Sequence, residues 1–357
     1  GGPGAIFWMW IAAFFGMATI FAEAVLAQVY RTRDDAGHIT GGPAYYISKG
    51  LGSHKLAVFF SVSIIIALGC IGNMVQSNSI ADAFKTAFDV PPLVMGLIIA
   101  ACGAFVFFGG IGRIAAVTEK MVPLMALLYV IGGLFVVLSN ADQIIPAFKM
   151  IFVGAFDPSA ATGGIIGAGV KEAIRYGVAR GLFSNEAGMG STPHAHAVAK
   201  VQYPAQQGLM GIVSVFIDTF VVLNMTALVI FVTGALDGTT TGIALTQKAF
   251  STGLGAFGIK FVAICLLFFA FSTIIGWYFF GETNVKALFH GKKAARVCYG
   301  VIALVFIAVG ATQKVSLVWD MSDMFNGLMV IPNLLAVLAL SNIVAKFAKD
   351  DHTLTGE

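Results

Sequence analysis

The chain is poor in charge. Asp, Glu, Lys and Arg make up 11% of its 357 residues, against 58% hydrophobic residues. A soluble domain carries about 25% charged residues, so less than half of the charge needed to cover a water-facing surface is present, which excludes an ordinary soluble globular domain. Cysteine is scarce as well: Cys70, Cys102, Cys265 and Cys298 are scattered in or beside apolar segments. No CxxC pair or Cys/His cluster exists to hold zinc or a redox couple, and the four read as small apolar residues at helix contacts. The net charge of +3 comes from basic loops rather than a basic face, which argues against nucleic acid as a partner. No cleavable signal peptide is visible, and the chain opens Gly-Gly-Pro-Gly without an initiator Met, so the native N-terminus is expected upstream.

Uncharged apolar runs are what the sequence has in abundance. Leu56–Cys70, Leu93–Phe108 and Phe261–Ile275 contain no Asp, Glu, Lys or Arg. A hydrocarbon core about 30 Å thick needs about 20 apolar residues at 1.5 Å rise each, and these runs with their uncharged flanks are long enough. Nine spans are expected: Ala5–Tyr30, Leu56–Ser79, Leu93–Ile111, Met121–Leu138, Ile165–Ala187, Leu209–Thr233, Phe257–Phe280, Val297–Ala311 and Phe325–Ala345. The fold class is therefore all-α and integral to the lipid bilayer, with one transmembrane domain over 1–349 and a polar tail, Asp350–Glu357.

Loop charge orients the bundle, because cytoplasmic loops are enriched in Lys and Arg. One alternate set of loops carries thirteen such residues, among them Arg31, Arg33, Lys49, Lys55, Lys286, Lys292, Lys293, Arg296, Lys346 and Lys349; the other carries five at most. The first loop and the C-terminal tail are thereby expected in the cytoplasm, and the plasma (inner) membrane is the expected location.

Gly181–Pro193 reads GLFSNEAGMGSTP. Its glycines, Ser184, Asn185 and closing proline disfavour continuous helix, yet helix-like sequence lies on both sides. Non-helical backbone at membrane depth is tolerated only where protein buries it or it lines a cavity, and such breaks form the binding sites of many secondary transporters. An ordinary loop after a span ending at Leu182 fits the residues equally well.

Here the sequence resembles a known family. GGPAYYISKGLG (Gly41–Gly52), GVARGLFSNEAGMGSTP (Gly177–Pro193), FAFSTIIGWYFFGE (Phe269–Glu282) and the stretch Ser316–Leu340 are similar, in order, to the alanine or glycine:cation symporters. The resemblance runs from Gly1 to about Lys349. It implies a five-plus-five inverted-repeat transporter fold and symport of small neutral amino acids, alanine or glycine, with sodium, occasionally with protons. It also implies that the first core helix lies before this chain, which makes Ala5–Tyr30 core helix two, Ile165–Ala197 core helix six and Phe325–Ala345 core helix ten.

Site residues follow from that resemblance. Carbonyls around Arg180–Ser184 would meet a substrate ammonium, which singles out Phe183 and Ser184; Phe183 could equally be packing. Gln76, in GNMVQSNSI within an apolar span, would donate to the substrate carboxylate, or else bridge helices. The Phe269 carbonyl with the Ser272 and Thr273 hydroxyls would supply oxygens to sodium, unless those hydroxyls back-bond along their own helix. Trp277 would cap the pocket and restrict it to small side chains. Glu23 is expected to accept amides freed by the break, a structural support; Glu23 or Asp218 could instead couple protons. His194 and His196 read as solvated, and Lys171, Glu172, Arg175 and Arg180 as pairing among themselves or lying near a vestibule. A membrane enzyme would need facing His pairs or clustered metal ligands; a passive channel would need a symmetric pore-lining ring. Neither pattern is found. The oligomeric state is not legible.

Overall fold

The structure is a computed structural model that describes residues 1–34, 36–109, 111–157 and 169–349, without the side chains of 111, 113–115, 117 and 118. Residues 165–168 of the span expected over Ile165–Ala187 and the expected tail 350–357 lie outside the described residues. Helices account for nearly all of the regular structure. The exception among the described residues is a two-residue hairpin pairing Thr32–Arg33 with Ile39–Thr40.

In chain order the helices are α1 (Gly4–Val29), α2 (Pro43–Gly50), α3 (His54–Phe88), α4 (Pro92–Phe107), α5 (Ile111–Ser139), α6 (Ile144–Phe156), α7 (Val170–Asn185), α8 (Pro193–Val198), α9 (Pro204–Val232), α10 (Gly242–Leu254), α11 (Ala256–Leu288), α12 (Lys293–Gly310), α13 (Val315–Ala339) and α14 (Ser341–Lys349). Seven helices among the described residues are long and apolar enough to cross a membrane, namely α1, α3, α5, α9, α11, α12 and α13. The apolar α4, with 16 residues, and the divided pair α7–α8 occupy the other two expected spans.

The last expected span, Phe325–Ala345, is displaced: α13 starts at Val315 and stops at Ala339, and α14 follows separately. Asp320 and Asp323 break the apolar run at its start, but Asp323 pairs with Arg180 of α7, which keeps a carboxylate tolerable in a membrane helix. The short helices α2, α6, α10 and α14 were not expected, because 8 to 13 residues with an internal or terminal lysine fall below the length of a span.

Small residues set the packing. A Cβ on Gly4 would lie 2.0 Å from the Gly154 carbonyl oxygen of α6, and one on Gly177 would lie 2.5 Å from the Ala5 carbonyl oxygen. Only glycine permits this approach of backbones, so α1 packs tightly against α6 and α7 while Phe14 and Phe15 face outward, 67% and 68% exposed. Aliphatic and aromatic side chains on the outer faces of α4, α5 and α12 are exposed in the same way, as a lipid-facing surface requires.

The order of elements recurs. Helices α1 to α6 have 26, 8, 35, 16, 29 and 13 residues, and α9 to α14 have 29, 13, 33, 18, 25 and 9. Counterparts in the two series pack on each other: α1 on α9, α3 on α11 and α4 on α12. Both α3 and α9 contain π-helical stretches, Ile65–Gly72 and Ile217–Leu223, a local widening often found at functional sites.

Candidate functional site

Helix α7 ends at Asn185 and α8 starts at Pro193. Between them Glu186, Gly188 and Gly190 take left-handed φ values of 58°, 99° and 79°. Glycine adopts that region freely, whereas Glu186 does so at a steric cost. Residues 187–191 are buried, so every backbone group released by the break needs a partner.

The partners come from four other helices. Glu23 of α1 accepts the Gly188 N–H at 3.0 Å through Oε2 and the Gly190 N–H at 2.9 Å through Oε1. Asn333 of α13 donates to Glu23 and to the Gly188 carbonyl, the latter at 2.9 Å, and the Tyr46 hydroxyl of α2 donates to Asn333 Oδ1. Glu186 accepts the Trp277 indole N–H at 2.7 Å, and the Ser191 hydroxyl donates to its other oxygen.

The redirected amides leave acceptors behind. A continuing helix would bring the N–H groups of Ala187, Gly188 and Met189 to the carbonyls of Phe183, Ser184 and Asn185. Instead they donate to Asn185 Oδ1, Glu23 and the Glu186 carbonyl. Among the described residues no hydrogen bond reaches the carbonyls of Phe183, Ser184 and Asn185, which lie at the negative end of a helix, where a cationic group is favoured.

Phe183 and Trp277 come together edge to face, with ring centroids 5.4 Å apart, and Phe183 also lies 4.8 Å from Trp319 of α13. Trp277 is seated on Gly72 in the π-helical part of α3, where a Cβ would lie 2.6 Å from the indole. Gln76 is one turn further along α3, half-buried and without a side-chain hydrogen bond among the described residues. The Ser184 hydroxyl turns the other way and donates to both Asp218 oxygens of α9, at 3.0 and 2.9 Å. Ser272 and Thr273 each donate to the Phe269 carbonyl, at 2.8 and 3.0 Å, which is the back-bonding along their own helix given above as the alternative to a sodium site; it also gathers the three expected oxygens on α11. A cavity of about 520 Å³ opens between α7 and α13, lined by Arg175, Phe183, Met189, Asp323 and Asn326.

One reading of polar residues is corrected, and of the two alternatives for Arg180 the pairing within its own helix is set aside. His194 is not solvated. It is 1% exposed and lies between Phe60 and Phe280, at 6.3 and 5.5 Å. Its Nδ1–H donates to the Ser191 carbonyl at 2.6 Å, and Asn284 donates to its Nε2 at 2.8 Å. His196 is half-buried and bonded to Gln207 at 2.7 Å. Neither burial is visible in sequence, because that of His194 arises where α8 meets Phe60 of α3 and Phe280 of α11, and that of His196 where α8 meets α1 and Gln207 of α9. Arg180 pairs with Asp323 of α13 through two bonds of 2.6 and 3.0 Å, its guanidinium 4.3 Å from the Trp319 ring centre, rather than with the nearby acid on its own helix.

Asn333, Tyr46 and the Arg180–Asp323 pair escaped the reading of the sequence. Asn333 had a signal, since a side-chain amide in an apolar span must find partners. Tyr46 and the π-helical stretches had none.

The sodium:alanine symporter family matches residues 1–354. The chain is 46% identical over 359 residues to the sodium/alanine symporter AgcS of Methanococcus maripaludis, covering 98% of this chain and 77% of that one. It is 44% identical over 351 residues to the probable sodium/glutamine symporter GlnT of Bacillus subtilis, covering 98% and 72%. It is 42% identical over 355 residues to an uncharacterized transporter of Haemophilus influenzae, covering 98% and 77%. The chain belongs to the sodium:alanine symporter family. It is a multi-pass membrane transporter of amino acids and not an enzyme, and the resemblance read from four motifs extends across nearly all of it.

Proposed function

We propose that this protein is a secondary active symporter that imports small neutral amino acids, alanine or glycine, with sodium across the plasma membrane. The observation that carries the reading is the break between α7 and α8. It presents the unpaired carbonyls of Phe183, Ser184 and Asn185 beside the Phe183–Trp277 pair, which suits the ammonium of an amino acid and a small side chain. Gln76 is the donor for the carboxylate, and Trp277 limits the length of the side chain. Glu23, with Asn333, is the support that holds the break open.

Sodium takes the oxygens of Phe269, Ser272 and Thr273. Both hydroxyls spend their proton on the Phe269 carbonyl, which leaves their lone pairs for a hard cation. The recurrence of α1–α6 in α9–α14 supports the five-plus-five inverted repeat: four membrane passages, α3, α4, α5 and α7–α8, lie between α1 and α9, so counterparts run in opposite directions. The excess of Lys and Arg in alternate loops supports a cytoplasmic first loop and C-terminus.

A proton-coupled carrier is the second reading. It is favoured by Glu23, Glu186 and Asp218, three carboxylates at the break that form no ion pair among the described residues. Equilibrium binding of labelled alanine to the purified protein separates the two. Sodium-coupled transport requires binding that rises with sodium at fixed pH. Binding that follows pH and ignores sodium favours the proton.

A further inference from the structure

The face that carries the basic loops holds a second cavity, of about 310 Å³, whose lining includes no residue of α7 or α8. It is walled by the hairpin after α1, by α2, by the first turns of α3, by the end of α11 and by the start of α12. Three membrane-spanning helices begin or end there, at His54, Leu288 and Lys293. That is the depth at which lipid head groups lie. Exposed apolar side chains adjoin the wall residues: Phe59 beside Val58, Phe289 beside Leu288 and Val297 beside Arg296, all more than 40% exposed.

The cavity is cationic. Residues 30–55 and 282–296 together contain eight lysines and arginines against three carboxylates. Arg33, Lys286, Arg296, His54 and His290 line it, with Asp34 as the single acidic residue among the described residues of its lining. Asp34 is occupied locally, accepting the Ala36 and His38 N–H groups at 3.0 and 2.9 Å. Glu282, behind the wall and 4% exposed, holds Arg296 through Nε at 2.9 Å and Nη2 at 2.8 Å, which leaves the Nη1 edge of the fork. The Lys286 ammonium is 3.6 Å from Glu282, too far for a hydrogen bond. Arg33 spends one N–H on the Gly37 carbonyl. Buried Glu282 therefore orients Arg296 without consuming the donors that face the cavity.

We infer that this cavity binds a phosphate oxyanion, held by Arg33, Lys286 and Arg296. Planar guanidinium forks and an ammonium converging on one space are the donor set that a tetrahedral phosphate accepts best. The phosphate can belong to the head group of an acidic phospholipid at the membrane surface or to a small soluble phosphate. A bound phosphate ties the loop after α1 to the loop after α11 at the base of the bundle.

Thermal unfolding of the purified protein in a neutral detergent tests this. The probes are dihexanoylphosphatidylglycerol, dihexanoylphosphatidylcholine and inorganic phosphate, each titrated at low ionic strength because surface attraction is screened by salt. Saturable stabilisation by the glycerol lipid but not by inorganic phosphate assigns the site to lipid; stabilisation by both assigns it to phosphate as such. In either case Arg33→Gln with Lys286→Gln should raise the half-saturating concentration at least about tenfold, since two charge-assisted contacts are lost and each is worth about that factor. Lys292→Gln with Lys293→Gln removes the same charge outside the cavity wall and should leave it unchanged. No stabilisation by any anionic probe, or equal weakening by both pairs of substitutions, overturns the site.

Discussion

The Trp277 indole N–H donates to Glu186 Oε1 at 2.7 Å, which joins the middle of α11 to the first residue of the break in the neighbouring helix. The same ring meets Phe183 edge to face and rests on Gly72. Its orientation is therefore set from three sides, and under the proposed function a ring held in this way would make the limit on side-chain length a property of the rigid protein.

Substitutions at Trp277 separate its two roles. Trp277→Phe keeps a ring but removes the donor, leaving Glu186 with Ser191 alone. Alanine affinity should fall about tenfold, as for a lost bond to a buried charged acceptor. Trp277→Ala should let methionine compete for uptake of labelled alanine. If both variants bind alanine normally and still exclude methionine, Trp277 is packing and the pocket lies elsewhere.

Glu23 accepts two backbone amides that have no other partner among the described residues. Glu23→Ala leaves both buried and unsatisfied, at a cost of about 1–3 kcal/mol each. Glu23→Gln keeps one carbonyl oxygen and should cost less. Apparent Tm in detergent should fall in the order parent, Gln, Ala, with transport lost in the last. A Glu23→Ala protein as stable as the parent would remove Glu23 from the support of the break.

The oxygens of α11 make a prediction that distinguishes a ligand from a helix-internal bond. In Ser272→Ala with Thr273→Ala, the half-saturating sodium concentration for alanine binding should rise at least about tenfold. The Tm measured without sodium should move little, because back-bonded hydroxyls add little to helix stability. A lowered Tm with unchanged sodium dependence would mark them as structural.

Asp237, in the loop after α9, sits where charge is fully solvated. The Lys248 ammonium beside it, with the Thr240 and Thr239 N–H groups and the Thr240 hydroxyl, holds its carboxyl well below the usual carboxylate range. A carboxyl depressed in the folded state stabilises the fold above its unfolded value, about 4, and loses that contribution only as pH falls through the lower folded value. Lys248→Gln should lower Tm by the same amount at pH 7 and pH 5, with the difference closing only below about pH 4. A difference that vanishes between pH 7 and 5 would exclude Asp237 as its source.

Much of the fold is legible in residues such as those of Leu56–Cys70 and Phe261–Ile275, because a membrane demands long uncharged helices and leaves little else to choose. The break was also foreshadowed: Gly188 and Gly190 sit where positive φ is needed, and Glu23 is a carboxylate that an apolar span would not otherwise carry. What escaped is what depends on distant partners. Asp323 fell outside the span expected from Phe325, and the structure draws it into α13, where Arg180, 143 residues away, supplies its ion pair. His194 looked solvated until Phe60 and Phe280 closed around it. Charge and polarity report cost, and only the neighbours reveal how that cost is met.

Reconstitution of the protein into liposomes, with labelled alanine followed over time, tests the central claim of sodium-coupled import most directly. An inward sodium gradient at equal pH should drive alanine above its equilibrium level inside, and a sodium ionophore should abolish the accumulation while a protonophore leaves it intact. Accumulation driven by a proton gradient in sodium-free buffer, or mere equilibration of alanine whatever the gradient, would contradict it.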